Sequence, residues 1–184
     1  ISSFFIVILF NFERLILEKE KQMNNIDLEK AFIEIIQQNE RIIYKVCSFY
    51  ISDDATLGDL YQDVVSNLWV AYPKFRSECA ISTWIYRIAL NTCISSVRKE
   101  LKKPQRVPLS QLPDIFEQTE DSSPDVSELY RLIYQLKDME RAIILLYLEE
   151  KSYQQIADIV GLTVCNVAIK LKRTKEKLLS MSNK

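Results

Sequence analysis

SYQQIADIVGLTVCNVAIKLKRTKEKL, residues 152–178, is the stretch on which the fold turns. Ser152 and Gln155 have the spacing of a capping box, in which each side chain satisfies a free amide at a helix start. Gly161 lies four positions, and Val167 ten, beyond Ala157. A helix-turn-helix needs those residue types in that order: a small residue where two helices touch, glycine at the turn, an apolar anchor in the second helix. Ile156, Val160 and Leu162 supply the flanking core positions. Beyond the turn, Lys170, Arg173 and Lys177 repeat at i, i+3 and i+7, with Lys172 and Lys175 beside them. Such a face is either the solvated side of a helical hairpin or a recognition helix, whose first residues meet base edges while its cations meet phosphates. The combination of cap, turn and basic second helix favours DNA. Thr163, Asn166, Lys170, Lys172 and Arg173 are the candidate contacts.

A second stretch, ISTWIYRIALNTCISSVRKE, residues 81–100, carries two stripes. Ile81, Trp84, Ile85, Ile88 and Ala89 recur as the apolar face of a helix. Arg87, Asn91, Ser95 and Arg98 fall at i, i+4, i+8 and i+11 and draw a polar line along the same rod. The stripe runs on into Lys99, Lys102, Lys103 and Arg106. One face is expected to pack, with Trp84 and Ile88 in the core. Tyr86, Arg87, Asn91, Arg98 and Lys99 are left for a ligand.

Composition narrows the function. The chain of 184 residues has no histidine, which removes the commonest general base and metal ligand. Only two glycines are present, so no glycine-rich loop cradles a phosphate. The four cysteines form no CxxC pair, which points to buried free thiols in a reducing compartment. No cofactor, metal or small-molecule substrate is expected. Net charge is −1, yet its distribution is lopsided. Residues 86–106 carry +5, residues 107–128 carry −6, and residues 164–184 carry +5. Two cationic surfaces are joined by an anionic tether.

Helical periodicity dominates the organisation. Segment 27–51 repeats Phe32, Ile35, Ile36, Ile42, Ile43 and Val46. Segment 57–72 sets Leu57, Leu60, Val64, Leu68 and Tyr72 against Asp59, Gln62, Asp63 and Ser66. Segments 81–99, 126–148 and 152–179 complete the helices. Pro104, Pro108, Pro113 and Pro124 break the acidic stretch into a linker. The expected fold is all-α, with two small helical domains joined by a flexible acidic linker, the C-terminal one a helix-turn-helix. The boundaries are 23–103, 104–125 and 126–184. Residues 1–22 hold an apolar run from Phe4 to Phe10, too short to span a bilayer and without signal-peptide features. They read as an over-extended gene start or a dispensable leader, with Met23 as an ordinary start; a membrane-surface anchor is the alternative.

The order of motifs resembles the extracytoplasmic-function group of bacterial RNA polymerase sigma factors. DLYQD at 59–63 opens a helix, and an Phe75–Arg76 turn with a small-residue loop follows. Next come Trp84, Arg87, Ile88, Ala89 and Asn91 in the pattern W-x-x-R-I-A-x-N, a closing Arg98–Lys99, and the helix-turn-helix behind LKDMERAIILLYLEEK. The resemblance covers about residues 27–179. Departures are Ser95 where the family often has Asp, Lys137 where it has Pro, and Ala168–Ile169 where Lys and Ser are common.

The resemblance implies a cytoplasmic, non-enzymatic protein whose partners are core RNA polymerase, promoter DNA and an anti-sigma factor. The first domain would bind the polymerase clamp through Asp59, Gln62 and Asp63. It would also open the minus-10 element, using Ser77 and Ser82 in the pocket for a flipped base and Tyr86, Arg87, Asn91, Arg98 and Lys99 along the strand. Aromatic platforms of this kind contribute about 1–3 kcal/mol per stacked base. The second domain would read the minus-35 element. The acidic linker would thread channels that nucleic acid otherwise occupies, or serve as a solubilising tether.

Two other functions compete. A free-standing helix-turn-helix regulator accounts for 152–178 but leaves the Asp59 face and the 81–100 stripe without a role. A metal-dependent nuclease built on Asp53–Asp54 or Glu149–Glu150 fails on geometry, because neighbouring helical side chains diverge by about 100° and do not converge on one ion.

Overall fold

The computed structural model describes residues 26–52, 55–101 and 124–182. The expected leader, Asp53 and Asp54, and most of the acidic linker lie outside the described residues. The chain divides into two compact units, Ile1–Glu40 and Arg41–Lys184. The described part of the first is helix α1, residues 26–38, with Phe32 buried on its inner face. Asn39 ends it. The Asn39 amide side chain donates to the carbonyl of Ile35 at 2.8 Å, occupying an acceptor of the last turn. The single helix expected over 27–51 is therefore two.

The second unit runs α2 (Glu40–Ser48), α3 (Leu57–Ala71), a 3₁₀ turn (Tyr72–Lys74), α4 (Ile81–Leu101), α5 (Pro124–Tyr134), α6 (Asp138–Leu148), α7 (Tyr153–Val160) and α8 (Val164–Ser182). Among the described residues the only extended pairing is a bridge between Ser52 and Ala55. Pro124 does not extend the linker. It is the first residue of α5, where its missing N–H costs nothing and its fixed φ suits the helix. The expected helix over 126–148 is likewise two, parted at 135–137.

Leu60, Val64 and Leu68 of α3 are wholly buried at i, i+4 and i+8, as are Ile85, Ala89 and Cys93 of α4. The two ridges interlock, and the Asn67 side chain donates to Thr92 Oγ1 at 3.0 Å beside them. Cys47 and Cys93, distant in sequence, meet with sulfurs 4.0 Å apart. The hydrogen bond to Cys47, followed by burial, pushes the Cys93 thiol up, so the Cys93 sulfur is not a ready nucleophile. Cys79 is half-buried and Cys165 exposed, so only two of the four thiols are core residues.

Helix α6 is buried at five consecutive positions, Ala142 to Leu146, and so is enclosed on every side. Helices α5, α7 and α8 cover part of it. The rest is covered by the other module. Tyr86 and Leu90 of α4, with Lys45 and Val46 of α2, face Ala142, Leu145, Leu146 and Glu149 across a nearly filled gap. The two modules are packed together rather than held apart by their linker.

Candidate nucleic-acid interface

The helix-turn-helix forms as its residues demand. Gln155 N donates to Ser152 Oγ at 3.2 Å, and Ser152 N donates to the Gln155 side chain at 2.9 Å. Gly161 closes α7 with φ at 71°, a left-handed conformation that a side chain would strain even though open space surrounds it. The amides of Gly161 and Leu162 both return to the carbonyl of Ala157. Replacing Ser152 with alanine removes one half of the cap and is expected to cost about 1 kcal/mol, read as a lower urea midpoint at unchanged slope.

Helix α8 buries Val167, Leu171, Thr174 and Leu178. Thr163, Asn166, Lys170, Lys172 and Arg173 are all exposed. Positions 163, 166, 170 and 173 share one face. Thr163 Oγ1 accepts from the Asn166 amide at 3.2 Å and so starts the helix. Two cations belong instead to the fold. Lys177 pairs with Glu140 at 2.8 Å, a hydrogen bond that holds the glutamate below its ordinary range, and Lys175 sits 3.6 Å from the centre of the Tyr147 ring. Val164 and Ile169 add exposed apolar surface beside the polar face.

On α3, Asp59, Gln62 and Asp63 are exposed. Asp59 has a structural role as well. Its carboxylate accepts from Thr56 Oγ1 at 2.6 Å and from Thr56 N at 3.0 Å, and these bonds hold its pKa below the usual carboxylate range. Val70, 70% exposed, extends the same helix surface and was not singled out by the sequence reading.

Along α4 the structure brings Arg87, Asn91, Arg98 and Lys99 to an exposed stripe. Ser77 is exposed in the preceding loop with φ at 57°, and Ser82 is half-buried. Tyr86 departs from expectation. It is 4% exposed, donates to Glu149 at 3.3 Å and lies under the Lys151 ammonium, so burial above all pushes its hydroxyl pKa up. The buried stripe is rotated from the expected one: Ile85, Tyr86, Ala89, Leu90, Cys93 and Ile94 are inside, while Trp84 and Ile88 are only half-buried. The reason is that α4 is covered on two sides, by α3 and by α6 with α7. Trp84 instead lies tilted against Phe75, ring centres 4.9 Å apart, and lines a cleft of about 650 Å³ with Lys74, Arg76, Glu78, Cys79, Arg87 and, from α7, Asp158.

Polar groups of the C-terminal module meet side chains of α2 and α4. The Arg87 guanidinium donates to the Asp158 carbonyl at 2.6 Å, and Arg98 stands 3.8 Å from Asp138. Glu149 takes Lys45 on one oxygen and Tyr86 on the other. Local spacing holds no signal for these pairs, whose members are 63 or more residues apart in the two contacts with Tyr86 and Arg87. Among the described residues there is no cluster of metal ligands and no helix long and apolar enough to cross a membrane.

A capped helix-turn-helix with a cationic outer face, packed against a second helical module with which it shares a cleft lined by aromatic and charged side chains, defines a two-module protein of the helix-turn-helix class. The family model for Sigma-70 region 2 matches residues 35–102, and that for Sigma-70, region 4 matches residues 127–178. The chain is 28% identical over 182 residues to the ECF RNA polymerase sigma factor SigW of Bacillus subtilis, covering 90% of this chain and 96% of that one. It is 26% identical over 164 residues to the ECF RNA polymerase sigma-E factor of Haemophilus influenzae, covering 80% and 85%. In fold it is similar to the sigma factor RpoE of Bartonella quintana, solved with the anti-sigma factor NepR, at TM-score 0.66 and 18% identity over 84% of this chain and 98% of that one. CnrH, solved with the cytosolic domain of CnrY, matches at TM-score 0.60 and 20% identity over 84% and 89%. The chain belongs to the ECF group of the sigma-70 family: it is an initiation factor that binds core RNA polymerase and directs it to promoters.

Proposed function

We propose a division of labour by residue. Gln62 and Asp63, with Asp59 at the capped start of α3, meet a basic surface of core polymerase. Arg87, Asn91, Arg98 and Lys99 follow the opened minus-10 strand, with Ser77 and Ser82 at its pocket. Trp84 and Phe75, above a cleft ringed by Lys74, Arg76 and Arg87, are the aromatic platform in place of the buried Tyr86. Thr163 and Asn166 read minus-35 base edges while Lys170, Lys172 and Arg173 hold phosphates. The observation that carries the reading is the exposed 163–166–170–173 face directly behind a capped, left-handed glycine turn. The protein works in the cytoplasm, performs no chemistry of its own and is restrained by an anti-sigma partner.

Run-off transcription with core polymerase on a panel of genomic promoters tests this. Initiation at selected promoters only when the chain is added is the expected result. Equal initiation with and without it overturns the proposal. The competing regulator would shift promoter duplex in a gel by itself, whereas this protein is expected to need core enzyme.

A further inference from the structure

Helix α8 turns one side into the fold and the other away from it. Val167, Leu171, Thr174 and Leu178 are buried and mark the inner line. At about 3.6 residues per turn, Ile169 falls on the opposite side of the rod, with Cys165 one turn before it. Ile169 is 45% exposed, and Cys165 is exposed as well. A single exposed isoleucine is common on protein surfaces and by itself means nothing. This one stands at the middle of the outward side, with cations on both flanks. Lys170 and Arg173 lie on one, and Lys172, 3.9 Å from Glu176, on the other. The Thr163–Asn166–Lys170–Arg173 face is therefore one flank of the outward side, and its centre line is apolar.

A helix lying in a major groove presents to the base edges the side opposite its own core, while cations on its flanks reach the phosphates. Isoleucine has no donor or acceptor, and a free cysteine behaves as a small hydrophobe. Set against a polar base edge, such a line strips water from groups it cannot bond, which costs affinity. One edge does suit it: among the four bases, thymine alone carries an apolar group in the major groove, its 5-methyl. We propose that Ile169, with Cys165 beside it, reads the 5-methyl group of a thymine in the minus-35 element and so selects that base pair by apolar contact. The inference rests on the assignment of α8 to the minus-35 duplex, and it adds a reader without hydrogen bonds to Thr163 and Asn166. Polar edges at the same position are rejected because their water has no replacement, so the contact discriminates in both directions.

The test uses the full chain on core polymerase and a promoter duplex that it selects in run-off transcription. Each thymine of the minus-35 element, on either strand, is replaced in turn by deoxyuridine, which lacks only the 5-methyl group and keeps every hydrogen-bonding edge. Competition binding reads the affinity. At one or two positions uracil is expected to weaken the unmodified protein by about fourfold, the effect of losing one buried methyl-sized group. Ile169→Ser is expected to bind the thymine and uracil duplexes alike, so that the ratio falls to about one. Ile169 is exposed, so this variant should keep its urea midpoint, and Ile169→Ala makes the same comparison should serine fail to fold. The inference is overturned if no uracil substitution weakens binding, if folded Ile169→Ser stays as sensitive to uracil as the unmodified protein, or if the selected minus-35 elements contain no thymine. Selective initiation without any uracil effect sinks this inference alone. Absence of selective initiation sinks the division of labour and this inference with it.

Discussion

Arg141→Ala is expected to lower stability by about 3–4 kcal/mol, the largest single loss on the described surface-to-core boundary. Its guanidinium donates to three backbone carbonyls, of Phe49 at 2.7 Å, Tyr134 at 2.5 Å and Leu136 at 3.1 Å. It also lies over the Tyr50 and Tyr134 rings, 5.2 and 5.6 Å from their centres. The α5–α6 corner is thereby tied to the end of α2, where Phe49 and Tyr50 are fully buried and the Tyr134 hydroxyl donates to Ser48 O. Burial pushes the Tyr134 hydroxyl up to about 12, with the Arg141 charge opposing, so both tyrosines stay neutral donors at working pH. Alanine leaves the three acceptors without their donor and removes the cation from between the rings. Lysine keeps the charge but lacks the planar fork, so Arg141→Lys is expected to recover less than half of the loss. Urea unfolding of both variants checks this; an Arg141→Ala midpoint equal to that of the unmodified protein would contradict it.

The second large effect is on function. Lys170→Ala with Arg173→Ala removes two exposed cations one turn apart on the outer face of α8, neither of which the fold uses. Stability should stay within about 0.5 kcal/mol. Promoter-selective run-off transcription is expected to fall by about tenfold to a hundredfold, and the slope of log affinity against log salt by about 2. The salt slope is decisive, because loss of two phosphate contacts changes it and a mere packing defect does not. Lys175 and Lys177 supply the control. They are engaged by Tyr147 and Glu140, so their replacement should lower stability before it touches the slope.

Much of the C-terminal module was legible from residues 152–178. Its cap, glycine turn and anchor are local devices, each set by side chains a few positions from the backbone groups they satisfy. The basic outer face followed from helical spacing alone, and so did the α3 ridge of Leu60, Val64 and Leu68. The break at 135–137 was not legible, because Leu132, Ile133 and Leu136 carry the apolar pattern into it, whereas the break at Asn39 falls in the polar run 37–41, a signal that the repeat of isoleucines on either side outweighed. Pro124 was read as a breaker although the same fixed φ suits a helix start, and spacing does not distinguish the two.

Periodicity assigns a helix one apolar face, and that is why Tyr86 was placed on the wrong side. The sequence by itself determined which segments are helical, where the turn of the DNA-reading hairpin lies, and which surfaces are cationic. Only the tertiary structure decided that α4 is covered twice, that Cys47 meets Cys93, and that Glu149, Asp158 and Arg141 bind residues far away along the chain. Local structure obeys interactions within one turn, which a sequence displays directly. Contacts between modules depend on how two finished surfaces fit, and no spacing along the chain encodes that fit.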